Sequence, residues 1–93
     1  MFDDILRDIR QKVSSYQYVM TTHAEEEMAD DGLSIYDVEQ GILTGEILER
    51  QRDRNTYESK FRIRGTGLDN QDLEVVVKLG RTGKVVMITV YVL

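Results

Sequence analysis

His23 is the one histidine in the chain, and it stands ahead of three glutamates, Glu25, Glu26 and Glu27. An imidazole titrates close to neutral pH and can give or take a proton. Glu26 and Glu27 fall three and four residues on, where a helix brings side chains together for a hydrogen bond or a shared metal. One imidazole among carboxylates is a poor zinc set, so no metal is assigned. The alternative is a helix-start histidine packed against the strand before it. A second group of reactive side chains is cationic. Arg50, Arg52 and Arg54 alternate, as do Lys60, Arg62 and Arg64. In an extended chain every second residue shares a face. Lys78, Thr89 and Tyr91 fall on the same outer side if Val86, Ile88, Val90 and Val92 face inward. Guanidinium forks match phosphate oxygens, and a tyrosine stacks on bases, so such a face suits a phosphodiester backbone. It equally suits an acidic protein partner, or serves only as a solvated sheet surface that blunts edge pairing.

Helices and strands must position these groups. Phe2, Ile5, Leu6, Ile9 and Val13 recur at helical spacing, with Asp3 and Asp4 in the first turn, which predicts a helix over residues 1–15. Its apolar stripe packs on a sheet or seals a homodimer. Tyr16–Thr21 reads as a short strand. Thr22-His23-Ala24-Glu25 fits a capping box opening a second helix that Gly32 ends, and Ser34-Ile35-Tyr36-Asp37 opens a third that Gly45 ends. The run Glu25–Asp31 reads as a solvated helix face or as a dock for a basic partner. From Glu46 the period becomes two. Strands are expected over 46–53, 57–64, 72–79 and 85–92, the last apolar on both faces like a central strand.

The expected fold is one α+β domain over residues 1–93. Two to three helices cover one face of a four- to five-stranded, mostly antiparallel sheet, and residues 46–93 form its strand meander. The first forty-five residues hold ten Asp and Glu against three Lys and Arg, a net of −7; the remainder hold seven against nine, a net of +2. The total of −5 argues against simple nucleic-acid binding, although the second half leaves room for a basic face. There is no cysteine, hence no thiolate zinc site and no disulfide. No apolar run is long enough to span a bilayer, and Met1–Asp4 lacks the pattern of a signal peptide, so the expected compartment is the cytoplasm. Nucleophile elbows, phosphate loops and dinucleotide fingerprints are absent, and no cofactor is expected.

Thr22-His23-Ala24, Met28, Gly32-Leu33-Ser34, Asp37-Val38 and Gly45-Glu46-Ile47 resemble the first half of a bacterial domain family of unknown function. Val75-Val76-Val77, Gly83 and Ile88-Thr89-Val90-Tyr91 resemble its second half, so the likeness covers residues 16–93. That family is similar in fold to the RelE/ParE and BrnT toxins of type II toxin–antitoxin systems, and its members often lie beside a zinc-finger protein of YgiT/MqsA type. The resemblance implies a toxin acting as a metal-independent mRNA endoribonuclease, with a zinc-finger antitoxin and mRNA or the ribosome as partners. Carried over, the motif residues are His23, Thr89 and Tyr91. Many members have arginine where this chain has Glu27 and Asp31, which leaves the strand cations as the RNA-facing set. The expected catalytic residues are His23, Tyr91 and Lys78, and the expected RNA-binding residues are Arg50, Arg52, Lys60, Arg62 and Arg64. The alternative is a non-catalytic interaction module of a toxin–antitoxin-like pair, in which the cationic strands dock a protein and His23 is structural.

Overall fold

The computed structural model describes residues 1–93. It contains α1 (Asp3–Ser14), β1 (Tyr18–Met20), α2 (Thr22–Asp30), α3 (Ile35–Thr44), β2 (Glu46–Arg52), β3 (Ser59–Thr66), β4 (Asp72–Leu79) and β5 (Val85–Val92). The strands form one sheet in the order β1-β5-β4-β3-β2. The meander β2 to β5 is antiparallel, and β1 adds to β5 in parallel. This is the expected α+β architecture with three helices and five strands. No helix is long and apolar enough to cross a membrane.

The helix-side face of the sheet is apolar. Phe61 and Ile63 of β3, Leu73, Val75 and Val77 of β4, and Val85, Met87 and Val90 of β5 are buried against Ile9 and Val13 of α1, Ala24 of α2, and Val38 and Ile42 of α3. The α1 stripe is therefore consumed within the chain, where Phe2 also meets Phe61 edge to face with centroids 6.3 Å apart. α3 lies almost on the backbone of the sheet. A Cβ at Gly65 would overlap the Gly41 carbonyl, and one at Gly41 would overlap the Leu73 side chain. Two glycines are needed because nothing larger permits that approach. The guanidinium of Arg10 then reaches from α1 to the carbonyl oxygens of Ile42 and Gly45 at the end of α3, the first of which also accepts from the Gly45 N–H at 3.4 Å.

Three local expectations are corrected. The cap of α2 is Thr21, whose hydroxyl accepts from the Ala24 N–H at 3.1 Å, so Thr22 lies inside the helix. The Ser34–Asp37 capping box of α3 forms as expected. Tyr16 is not in a strand: its φ is +60°, and β1 begins only at Tyr18. Finally, the register shifts between Val76 and Val77 where they meet β5, because Ile88 is an extra residue opposite them. A bulge of this kind reverses the alternation. Met87 thus joins the core with Val85 and Val90, while Val86, opposite Lys78, faces outward.

Candidate functional site

The outer face of the sheet, which no helix covers, is built from residues directly opposite one another. Arg64, Glu74 and Tyr91 form one row, Arg62, Val76 and Thr89 the next, and Lys60, Lys78 and Val86 the last. Thr89 and Tyr91 therefore do join Lys60, Arg62, Arg64 and Lys78 on one face, although Val86, expected to face inward with Val90, joins them there as well.

Carboxylates neutralise these cations. Glu74 is fully buried at the centre of the face, although it lies within the otherwise apolar run Leu73–Val77 of β4. Arg62 grips it with a fork, Nη2 to Oε1 at 2.9 Å and Nε to Oε2 at 3.2 Å. Arg64 donates to the same Oε1 at 3.3 Å, and the Tyr91 hydroxyl donates to Oε2. The remaining Arg62 nitrogen meets Glu49 of β2 at 2.5 Å. Lys60 faces Asp53 at 3.6 Å and Lys78 faces Glu58 at 2.8 Å. Bonds from Arg62 hold the Glu74 carboxyl below the usual range, against the opposing effect of burial, and Gln51 and Arg62 lower Glu49. The same bonds raise the Arg62 guanidinium further above its ordinary value. Two charges taken from water are stable here because every oxygen of Glu74 is matched.

β2 behaves otherwise. Its register shifts between Ile47 and Glu49, with Leu48 as the extra residue. Glu49 and Gln51 therefore stand opposite Arg62 and Lys60 on the outer face. Arg50 and Arg52 stand opposite Phe61 and Ser59 and emerge on the helix side. The expectation that Arg50 and Arg52 share a surface with Arg62 and Arg64 is corrected: the two sets lie on opposite faces. Arg50 lies over the Phe61 ring at 6.0 Å and donates to the Ser59 hydroxyl at 3.0 Å. Arg54 follows in the turn after the strand. Arg50, Arg52 and Arg54 have no carboxylate oxygen within 4.0 Å, unlike the outer-face cations.

His23 is mostly exposed, its side chain 67% accessible, and its Nε2 lies 3.2 Å from Glu27 Oε1. It does not pack against the preceding strand. Glu27 and Asp31 serve the sheet. β1 ends at Met20, which leaves the outer part of β5 without a neighbouring strand, and α2 fills the gap with side chains. Glu27 accepts from the Val90 N–H at 3.2 Å, and Asp31 accepts from the Val92 N–H at 3.0 Å. The Thr21 hydroxyl donates to the Ile88 carbonyl at 3.2 Å. Carboxylates at these two positions act as substitutes for strand backbone.

The three residues expected to be catalytic meet three different carboxylates: His23 meets Glu27, Tyr91 meets Glu74, and Lys78 meets Glu58. Lys78 lies four residues along β4 from the row of Tyr91, roughly 13 Å at the rise of a strand. Lys78 and Tyr91 are thus set apart along the sheet, each engaged by its own carboxylate. Spacing alone passed over Glu74, Glu49, Glu58 and Asp53. For Glu74 a signal existed, a lone charge inside the apolar run Leu73–Val77.

No curated protein and no solved structure matches the chain. The model of one family, described as a domain of unknown function (DUF4258), matches residues 20–92. That span takes in α2, α3, strands β2 to β5 and only the last residue of β1, and leaves out α1; it falls within the resemblance noted over residues 16–93. The chain belongs to the DUF4258 family.

Proposed function

We propose that this chain is a non-catalytic protein-interaction module, one member of a toxin–antitoxin-like pair, and that it holds an acidic partner through the arginines of β2. The observation that carries this reading is the contrast in charge compensation. The outer-face cations already have carboxylates, whereas Arg50, Arg52 and Arg54 have none; Arg50 and Arg52 lie on the edge strand β2, and Arg54 in the turn that follows it. Unpaired guanidinium groups beside an open strand edge attract and orient an acidic segment. The resemblance to families that sit beside a zinc-finger protein supplies the first partner to try. The test is co-purification from cells expressing the chain with its neighbouring genes. A stoichiometric partner is expected, released by Arg50→Glu with Arg52→Glu and retained by His23→Ala. Recovery of no partner, or of one indifferent to the charge reversal, would sink the proposal.

The mRNA endoribonuclease is the second reading. It is favoured by the exposure of His23 and by Glu27, which is itself anchored on Val90 and orients the imidazole as a carboxylate orients a catalytic base. Induction of the chain alone, with growth and mRNA integrity followed, decides between the two. Growth arrest with mRNA cleavage, both lost in His23→Ala, would establish the nuclease and displace the interaction module.

A further inference from the structure

A groove opens between the end of α1 and the outer side of α3, on the β1 side of the sheet and away from β2. Val13, Ser14, Tyr16, Glu39 and Leu43 line it, and it encloses about 230 Å³. That is below the roughly 300–1,000 Å³ of small-molecule sites and suits a single long side chain.

Tyr16 forms one wall from an unusual backbone position. Gln17 N–H donates to the Lys12 carbonyl at 2.8 Å and Tyr16 N–H to the Val13 carbonyl at 3.1 Å, the bond pair of a Schellman ending. The residue at this point takes a left-handed conformation, φ +60° for Tyr16, and glycine usually fills it. Here a tyrosine fills it, and 77% of its surface is exposed. Burial cannot account for the choice, since the ring contributes nothing to the core. On the opposite wall Glu39 and Leu43 stand one turn apart along α3, and Leu43 is exposed. Between the walls, Glu39 accepts one hydrogen bond, from the Tyr18 hydroxyl at 2.7 Å to Oε2. Its Oε1 has no donor, and no cation of the chain lies within 4.0 Å of it. Burial, followed by Glu39, pushes the Tyr18 phenol up to about 12, so it remains a neutral donor to that carboxylate.

We infer that this groove takes an arginine or lysine side chain from a basic segment of a partner protein. Val13 and Leu43 accept the aliphatic stem, Tyr16 faces the cation, and the free Oε1 of Glu39 accepts its N–H. The net charge of −7 over residues 1–45 draws a basic segment toward it. The site is separate from the β2 arginines and does not depend on the reading above.

The probe is the peptide acetyl-Gly-Ala-Arg-Leu-Gly-amide, with counterparts carrying lysine, citrulline or glutamate in place of arginine, titrated into the labelled protein and followed by amide chemical shifts. The arginine and lysine peptides are expected to move amides of residues 13–16 and 36–43 saturably. Citrulline, which keeps the shape and loses the charge, should weaken binding about tenfold. Tyr16→Gly relieves the backbone, so it should abolish the shifts while the Tm stays level or rises. Glu39→Gln should weaken binding several-fold with the fold intact. Any of four results overturns the inference: no shifts up to about 5 mM peptide, a ceiling for millimolar affinity; shifts centred elsewhere; equal binding of citrulline; or full binding by Tyr16→Gly.

Discussion

β2 and β3 are adjacent strands, both with basic residues at two-residue spacing, and the fold treats them in opposite ways. In β3, Arg62 and Arg64 converge on a buried carboxylate from β4, and Arg62 also takes one from β2. In β2, Arg50 and Arg52 turn to the other face, where their neighbours are an aromatic ring and a hydroxyl. The first set is structural: its charge is spent on holding three strands together. The second set retains its charge for something outside the molecule. A count of cations therefore says little about an anion-binding surface until each one's neighbours are known.

Breaking the first set should have the larger effect. Arg62→Ala leaves Glu74 buried with its principal partner gone, and a loss of about 3 kcal/mol is expected. For a domain of this size that corresponds to a fall in Tm of roughly 12–24 °C, measurable by thermal circular dichroism. A fall below about 4 °C, equivalent to less than about 1 kcal/mol, would make the network incidental.

Acid should act on the same network. The carboxyls of Glu74 and Asp37 are lowered in the fold, the first by Arg62 and the second by the backbone N–H of Ser34. Such groups contribute stability that is complete above the unfolded-chain value of about 4 and fades as pH falls through the lowered folded values. Urea midpoints measured down the acid limb should drop in the parent and drop less in Arg62→Ala, which lacks much of the linkage. Tyr18 has the opposite sense. Its folded value of about 12 exceeds the unfolded value, so its contribution is present below about pH 10 and is lost as pH rises toward 12.

Replacing both members of the pair sharpens the comparison. Arg62→Met with Glu74→Leu removes the buried charge and its partner together. Stability should return to within about 1 kcal/mol of the parent, since paired apolar substitutes are often neutral. If the double variant is as weak as Arg62→Ala, shape and not charge governs the site. The smallest effect belongs to β2: Arg52→Ala should change stability by no more than about 0.5 kcal/mol, as is usual for an exposed residue without partners. A loss of several times that amount would mean that β2 hides a structural role for its arginines, and the distinction between the strands would collapse.

The elements themselves were legible. The apolar stripe of α1, the Ser34–Asp37 box and the period-two segments after Glu46 all lie where local pattern places them, because side-chain burial and backbone capping act over a few residues. That Arg64 and Tyr91 share a face was expected only if Val86, Ile88, Val90 and Val92 turn inward, and the β5 bulge turns Val86 outward. Glu74 at the centre of that face was not legible, since a charge in a strand shows only that it needs a partner. Gly41 and Gly65 were equally silent: their closeness joins a helix to a strand twenty-four positions away.

Local periodicity, then, determined which segments are helix or strand and which residues within each segment alternate. The tertiary structure alone decided which face each set occupies and whether its charge is free. Extra residues at Leu48 and Ile88 reverse the phase of β2 and β5, and a bulge is visible only against the strand it pairs with. Compensation is likewise a property of neighbours: Arg62 is silent toward solvent because Glu49 and Glu74, from two other strands, lie within bonding distance.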